Sequence, residues 1–302
     1  MFKHGILASV TGSIVLSLLT TVAESAQAST LVFSGSGATT TTAFRDFQTA
    51  IGGGSRIGWD GVRLDGTDAN PETQVIDPGK TVAIPVNRFL GAGALFADPY
   101  AVSGDGFASV NPGTAGEFPA FSPQNTFVMF DFNNGQFEDR FIEQSFVLPG
   151  TTTAAGTRGF GAIFLDVEDA ASSSIEYFGT TTKGDKVSLG KYFVPVGASG
   201  EAQFLGVLFD QPIVTEVQLT VGTNALFSFD GTTIQSFGGE DLANGVDLVN
   251  TDDFLFATPT AATLITVPEP TPLSGLSLAI LGMVGFLTKK LAKRLSILST
   301  QQ

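Results

Sequence analysis

Hydrophobic and polar residues alternate strictly in the stretch "VTEVQLTVG", with Val217, Leu219 and Val221 on one side and Glu216, Gln218 and Thr220 on the other. A period of two predicts a strand with one buried face. The stretch "GFGAIFLDVE" is apolar on both sides, which predicts a central strand covered above and below. "SIEYFG", "KYFVPVG", "AQFLGVLFD" and "DDFLFATP" add short strand-like runs, separated by the turn-forming "KGDK", "GASGE" and "FDGTT". Near residue 40 the period changes. In "TTAFRDFQTAIGGG" Phe44, Phe47 and Ile51 fall at helical spacing, Thr42 is available as a cap, and glycines close the segment. "RIGWDGVRLDGTDANP" has neither period and reads as a loop. Many short strands with Gly- and Asp-rich turns predict an all-β domain, a β-sandwich or jelly roll, over residues 29–267. About 240 residues are enough to bury one sizeable core.

The two ends have different patterns. At the start, Lys3 and His4 precede the apolar "GILASVTGSIVLSLLTTV" and the small residues of "ESAQAS". A positive start, an apolar stretch and an A-x-A-like site make up a secretory signal over residues 1–28, with Ala26 and Ala28 marking cleavage before Ser29. A retained membrane anchor is the other reading. At the far end, residues 272–288 form an uncharged run of roughly 17 residues, about 25 Å as a helix, at the short limit for a bilayer core of about 30 Å. Lys289, Lys290, Lys293 and Arg294 follow it at once. By the positive-inside rule they keep the C-terminus in the cytoplasm and the β domain outside. A buried core helix is the alternative, and the basic stop argues against it. The Thr/Ala-rich "TPTAATLIT" is a short spacer between the domain and this tail.

Composition narrows the chemistry. The chain has no cysteine, and its one histidine, His4, lies in the signal. Ser-His-Asp and Cys-His nucleophilic sites, conventional zinc sites and histidine general bases therefore have no residues in the domain. Carboxylates, hydroxyls and oxygen-ligated hard metals remain. Of 29 acidic and 15 basic residues, removal of Glu24, Glu269, Lys3 and the four tail cations leaves 27 and 10 in residues 29–267, a net of −17. Such a surface repels nucleic acid and suits divalent cations or neutral partners. Asp166, Glu168 and Asp169 close the "GFGAIFLDVE" strand, and Asp252 and Asp253 open the last one. If the two strands are neighbours, these five carboxylates are the candidate ligands of a calcium ion, which takes six to eight oxygens. Asp60, Asp65 and Asp68 in "DGVRLDGTDAN" lack the spacing and terminal Glu of an EF-hand. A glycan hydrolase acting through two carboxylates is the rival from another class. The sequence shows no aromatic sugar platform beyond Trp59, Tyr100, Tyr177 and Tyr192, and the 27 Phe residues read as core filler.

Pro268, Glu269 and Pro270, then a short apolar span, then the basic cluster from Lys289, resemble the PEP-CTERM sorting signal of Gram-negative bacteria, here residues 268–302. The additional "LSILSTQQ" beyond the cluster is longer than such tails usually are. The resemblance implies export by the Sec machinery, an inner-membrane intermediate, and processing near the Pro-Glu-Pro by an exosortase-type protease. Delivery to the cell surface or extracellular matrix, with extracellular polysaccharide as partner, is what the same resemblance implies. "GWDGV", "LPGTTTAAGTRGFGAIFLDVE", "SIEYF", "FLGVLFD" and "DDFLFA", in that order, are similar to an uncharacterised β-rich group of exported PEP-CTERM proteins. That likeness implies a shared β fold and no activity. A non-enzymatic structural or ligand-binding role, with glycan or calcium as ligand and no other cofactor, is the expectation.

Overall fold

The computed structural model describes residues 29–67, 74–98, 100–129, 131–132 and 140–267. The signal, the sorting motif, the apolar span and the basic stop lie outside the described residues. Among the described residues no helix is long and apolar enough to cross a membrane. In chain order the strands are β1 Thr30–Ser36, β2 Ser55–Ile57, β3 Gln74–Asp77, β4 Thr81–Ile84, β5 Ala94–Phe96, β6 Tyr100–Ser103, β7 Thr126–Met129, β8 Asp131–Phe132 and β9 Phe141–Phe146. They continue as β10 Gly159–Leu165, β11 Ser174–Thr180, β12 Lys186–Phe193, β13 Ala202–Phe209, β14 Glu216–Thr220, β15 Phe227–Phe229, β16 Ile234–Ser236 and β17 Asn250–Phe256. Among the described residues there is one α-helix, α1, spanning Thr40–Ala50.

The described residues form a mostly β-stranded domain with three open sheets. The largest runs β1-β13-β10-β17-β7-β6-β4-β3, with β2 also paired to β17. A second runs β12-β11-β14-β9-β5, and a small third runs β16-β15-β8. The pairs are antiparallel except β15 with β8. The β14 alternation is as the sequence predicts, with Val217, Leu219 and Val221 buried. They face the large sheet, where Phe146 meets Phe160 at 6.1 Å and the Tyr177 hydroxyl donates to the Phe160 carbonyl at 2.9 Å.

The central strands are apolar on both sides because both sides are covered. On β10, Phe160, Ala162 and Phe164 enter the core shared with the second sheet. Ile163 and Leu165 point the other way, into a second core under α1 and the small sheet. β17 divides likewise, Phe254 and Phe256 to one core and Leu255 to the other. Trp59 lies fully buried in the first core, stacked on Phe127 at 3.9 Å. It is packing, not a sugar platform.

The predicted helix forms, with Phe44, Phe47 and Ile51 buried. Its cap position is Thr39 rather than Thr42, and Gly52, Gly53 and Gly54 leave it with positive φ. Gly161 and Gly206 sit opposite each other on β10 and β13. Between them they leave the flat ground on which α1 rests: a Cβ on Gly206 would meet the Phe47 ring at 3.0 Å and Phe204 at 2.9 Å. The segment read as a loop after α1 contributes the short β2 instead, hydrogen-bonded to the end of β17. The spacer before the tail lies on the domain through bridges from Thr260 to Gly156 and from Ile265 to Thr181.

Candidate metal centre

β10 and β17 are neighbours, and they run so that Leu165 pairs with Asn250. The acidic end of one strand therefore lies beside the start of the other. Two separate groups of carboxylates result.

The first begins where β10 ends. Asp166 takes a positive φ of 73°, a region in which Asp and Asn are the most tolerant non-glycine residues. Its amide donates to the Glu201 carbonyl at 2.9 Å, and its Oδ1 accepts from the Gly200 amide at 2.5 Å. Asp166 is 0 % exposed, yet its Oδ2 has no hydrogen-bond partner. Glu168, two residues on, and Glu240 bring one oxygen each to this place, and the three ligand atoms lie within 4.8 Å of one another.

Glu240 arrives from a distant loop that the fold ties down locally. Asn111 Nδ2 donates to the Leu226 and Gly238 carbonyls at 2.9 and 2.7 Å, and its Oδ1 accepts from the Ser236 hydroxyl at 2.7 Å. Gly113 lies against the Gly238–Gly239 backbone so closely that a Cβ there would come 2.5 Å from the Gly239 nitrogen. That contact fixes the residue just before Glu240 and brings Glu117, from the same loop as Gly113, into range. Asp247 supports the turn after Asp166 by accepting from the Asp169 and Glu168 amides at 3.2 and 3.5 Å.

The electrostatics are one-sided. Burial is the main cause that pushes Asp166 up to about 6, with Glu168, Glu117 and Asp247 adding repulsion and the Gly200 bond opposing it. Burial likewise raises Glu240, helped by its hydrogen bond to Glu168 and by the charges of Asp166 and Glu168. Asp247 and Glu117 are raised chiefly by burial too. The charges acting on these four groups are carboxylates, and Glu117 Oε2 is a second buried oxygen without a partner.

The second group contains Asp252 and Asp253, which the sequence places with the candidate ligands. The structure keeps them apart from the first. β17 begins at Asn250, so both lie inside the strand, at an irregularity where Ile163 faces the two of them. The bulge turns both carboxylates toward Ser122. Asp252 Oδ2 accepts from the Phe121 and Ser122 amides at 2.7 and 3.1 Å. Asp253 Oδ2 is paired with Arg56 at 2.5 Å. Asp60 Oδ1 accepts from the Gln124 and Asn125 amides at 2.6 and 3.1 Å. The Ser122 hydroxyl sits 3.2 Å from Asp60 Oδ2, 3.2 Å from Asp252 Oδ1 and 3.4 Å from Asp253 Oδ1. These acids hold a loop with bonds already made. Asp252 is pushed up to about 7 by burial first and by the charge of Asp253 second.

Of the five residues singled out by the sequence, the structure thus joins Asp166 and Glu168 and adds Glu240. Asp169 is exposed beside them and contributes no oxygen to the three-atom group. Asp65 accepts from the Thr67 amide and hydroxyl in a local turn, and Asp68 lies outside the described residues. The cleavage residues Ala26 and Ala28, the motif Pro268, Glu269 and Pro270, and the stop Lys289, Lys290, Lys293 and Arg294 lie outside them as well. No family model, curated protein or solved structure matches the chain.

Proposed function

We propose that this chain is an exported cell-surface or extracellular-matrix protein, carried out by the Sec machinery and sorted through its tail by an exosortase-type protease of a Gram-negative bacterium. Residues 29–267 serve as a structural or ligand-binding module of β-sandwich, jelly-roll-like type, whose ligand is calcium or the glycan of an extracellular polysaccharide. The observation that supports this reading is the match between the folded unit and the two expected processing points. β1 starts at Thr30, two residues past Ala28, and the bridge from Ile265 to Thr181 lies three residues before Pro268. Both cuts would leave the domain whole. Replacing Pro268, Glu269 and Pro270 by alanine is expected to leave an uncleaved form in the membrane fraction, while the wild-type product starts at Ser29. Unchanged processing of the triple variant, or a mature product retaining Met1, contradicts the reading.

A carboxylate-dependent glycan hydrolase is favoured by one observation, the raised Glu240 carboxyl beside Asp166 and Glu168, since a retained proton next to an ionised carboxylate suits acid–base work. Spacing weighs against it. One oxygen from each residue lies within 4.8 Å of the others, a cluster of three acids rather than two carboxyl groups facing each other across a cleft.

A further inference from the structure

We propose that Asp166, Glu168 and Glu240 bind a calcium ion, in a site that joins the end of β10 to the loop preceding β17. The first ground is Asp166 itself. Its Oδ1 is satisfied by the Gly200 amide, while Oδ2 is completely buried with no donor, and one oxygen of this carboxylate lies within 4.8 Å of an oxygen of each glutamate. A buried carboxylate oxygen without a donor is costly, and a cation removes that cost. The second ground is size. Calcium–oxygen distances of about 2.3–2.6 Å put ligands on opposite sides of the ion about 5 Å apart, and the three oxygens fit within that span as they stand. Magnesium demands near-ideal octahedral geometry and dehydrates reluctantly, so a set of three protein carboxylates suits it less than calcium. The third ground is donor type. The site is all oxygen, and the domain has no cysteine or histidine to favour zinc. Glu168 and Glu240 are only half-buried, which gives an ion a way in and leaves positions for water.

The site deepens the ligand-binding half of the proposed function and rests on that reading, but its failure is distinguishable from a failure of sorting, because ion binding is read on purified protein and sorting in cells. The test is titration calorimetry on the full-length chain, purified in detergent and stripped with a chelator, using calcium chloride and then magnesium chloride. One calcium per chain is expected, with magnesium at least tenfold weaker. Asp166→Asn and Glu168→Gln should each weaken calcium at least tenfold, and Asp252→Asn should leave it unchanged. Asn is tolerated at positive φ, and Glu168 is part-exposed, so loss in Glu168→Gln with an unchanged far-ultraviolet dichroism spectrum is decisive even if Asp166→Asn fails to fold. Absence of a saturable calcium heat, equal affinity for the two ions, or full binding in Glu168→Gln overturns the proposal.

Discussion

The Ser122 hydroxyl has one proton and three carboxylate oxygens within 3.4 Å, from Asp60, Asp252 and Asp253. Protonation of Asp252 supplies a second donor to this group, which gives the domain a defined pH dependence. Burial and the neighbouring Asp253 charge move Asp252 from an ordinary 3.8 to about 7 in the fold. A folded-state value above the unfolded one means that the native chain binds the extra proton. Its contribution is complete below about pH 4 and is lost as pH rises through about 7. At about 1.4 kcal/mol for each tenfold change in proton affinity, the whole contribution is about 4 kcal/mol, of which roughly 2.5 kcal/mol is regained between pH 8 and pH 5. Asp252→Asn mimics the protonated acid: its carbonyl can still accept from the Phe121 and Ser122 amides, and its amide can donate to the Ser122 hydroxyl. Urea unfolding followed by the fluorescence of Trp59, the only tryptophan, measures both proteins across this range. Other raised carboxyls, such as Asp166, also stabilise the fold as pH falls, so the informative quantity is the wild-type slope minus the variant slope. We expect the variant to match the wild type near pH 5 and to exceed it by roughly 2 kcal/mol near pH 8. Equal pH slopes in the two proteins would refute the protonated latch.

Gly206→Ala places a methyl against the Phe47 and Phe204 rings at 3.0 and 2.9 Å and should cost about 1–3 kcal/mol by overpacking, read as a lower urea midpoint with unchanged slope. Trp59→Phe removes the indole donor to the buried Asp252 carbonyl at 2.7 Å. The unpaired carbonyl alone should cost about 1–3 kcal/mol, measured by far-ultraviolet dichroism because the fluorophore is gone.

Legibility in the sequence followed the range of the interaction. The alternation in β14, the two-sided apolar run of β10 and the 3.6-residue spacing of Phe44, Phe47 and Ile51 are local signals, and the structure bears out each element. The adjacency of β10 and β17 enters the sequence reading only as a condition, because pairing across roughly ninety residues leaves no local signal, and the structure meets that condition. What failed to show was the difference of two residues in where β17 begins. Reading Asp252 as the start of the strand leaves its carboxylate at an exposed end. Starting at Asn250 and adding the irregularity opposite Ile163 sends it inward, to the Ser122 loop. Glu240 carries no periodic signal at all, and it lies 72 positions after Glu168 in a loop between two strands. Only "GG" before it hints at a close backbone approach, and the contact with Gly113 that makes sense of those glycines spans more than a hundred residues.

The claim that Asp166, Glu168 and Glu240 hold calcium is tested most directly by long-wavelength anomalous diffraction from crystals of the protein grown with calcium. The account predicts one strong anomalous peak at about 2.3–2.6 Å from oxygens of all three residues. A peak beside Asp252 and Asp253 instead, or none near Asp166 at saturating calcium, would contradict it.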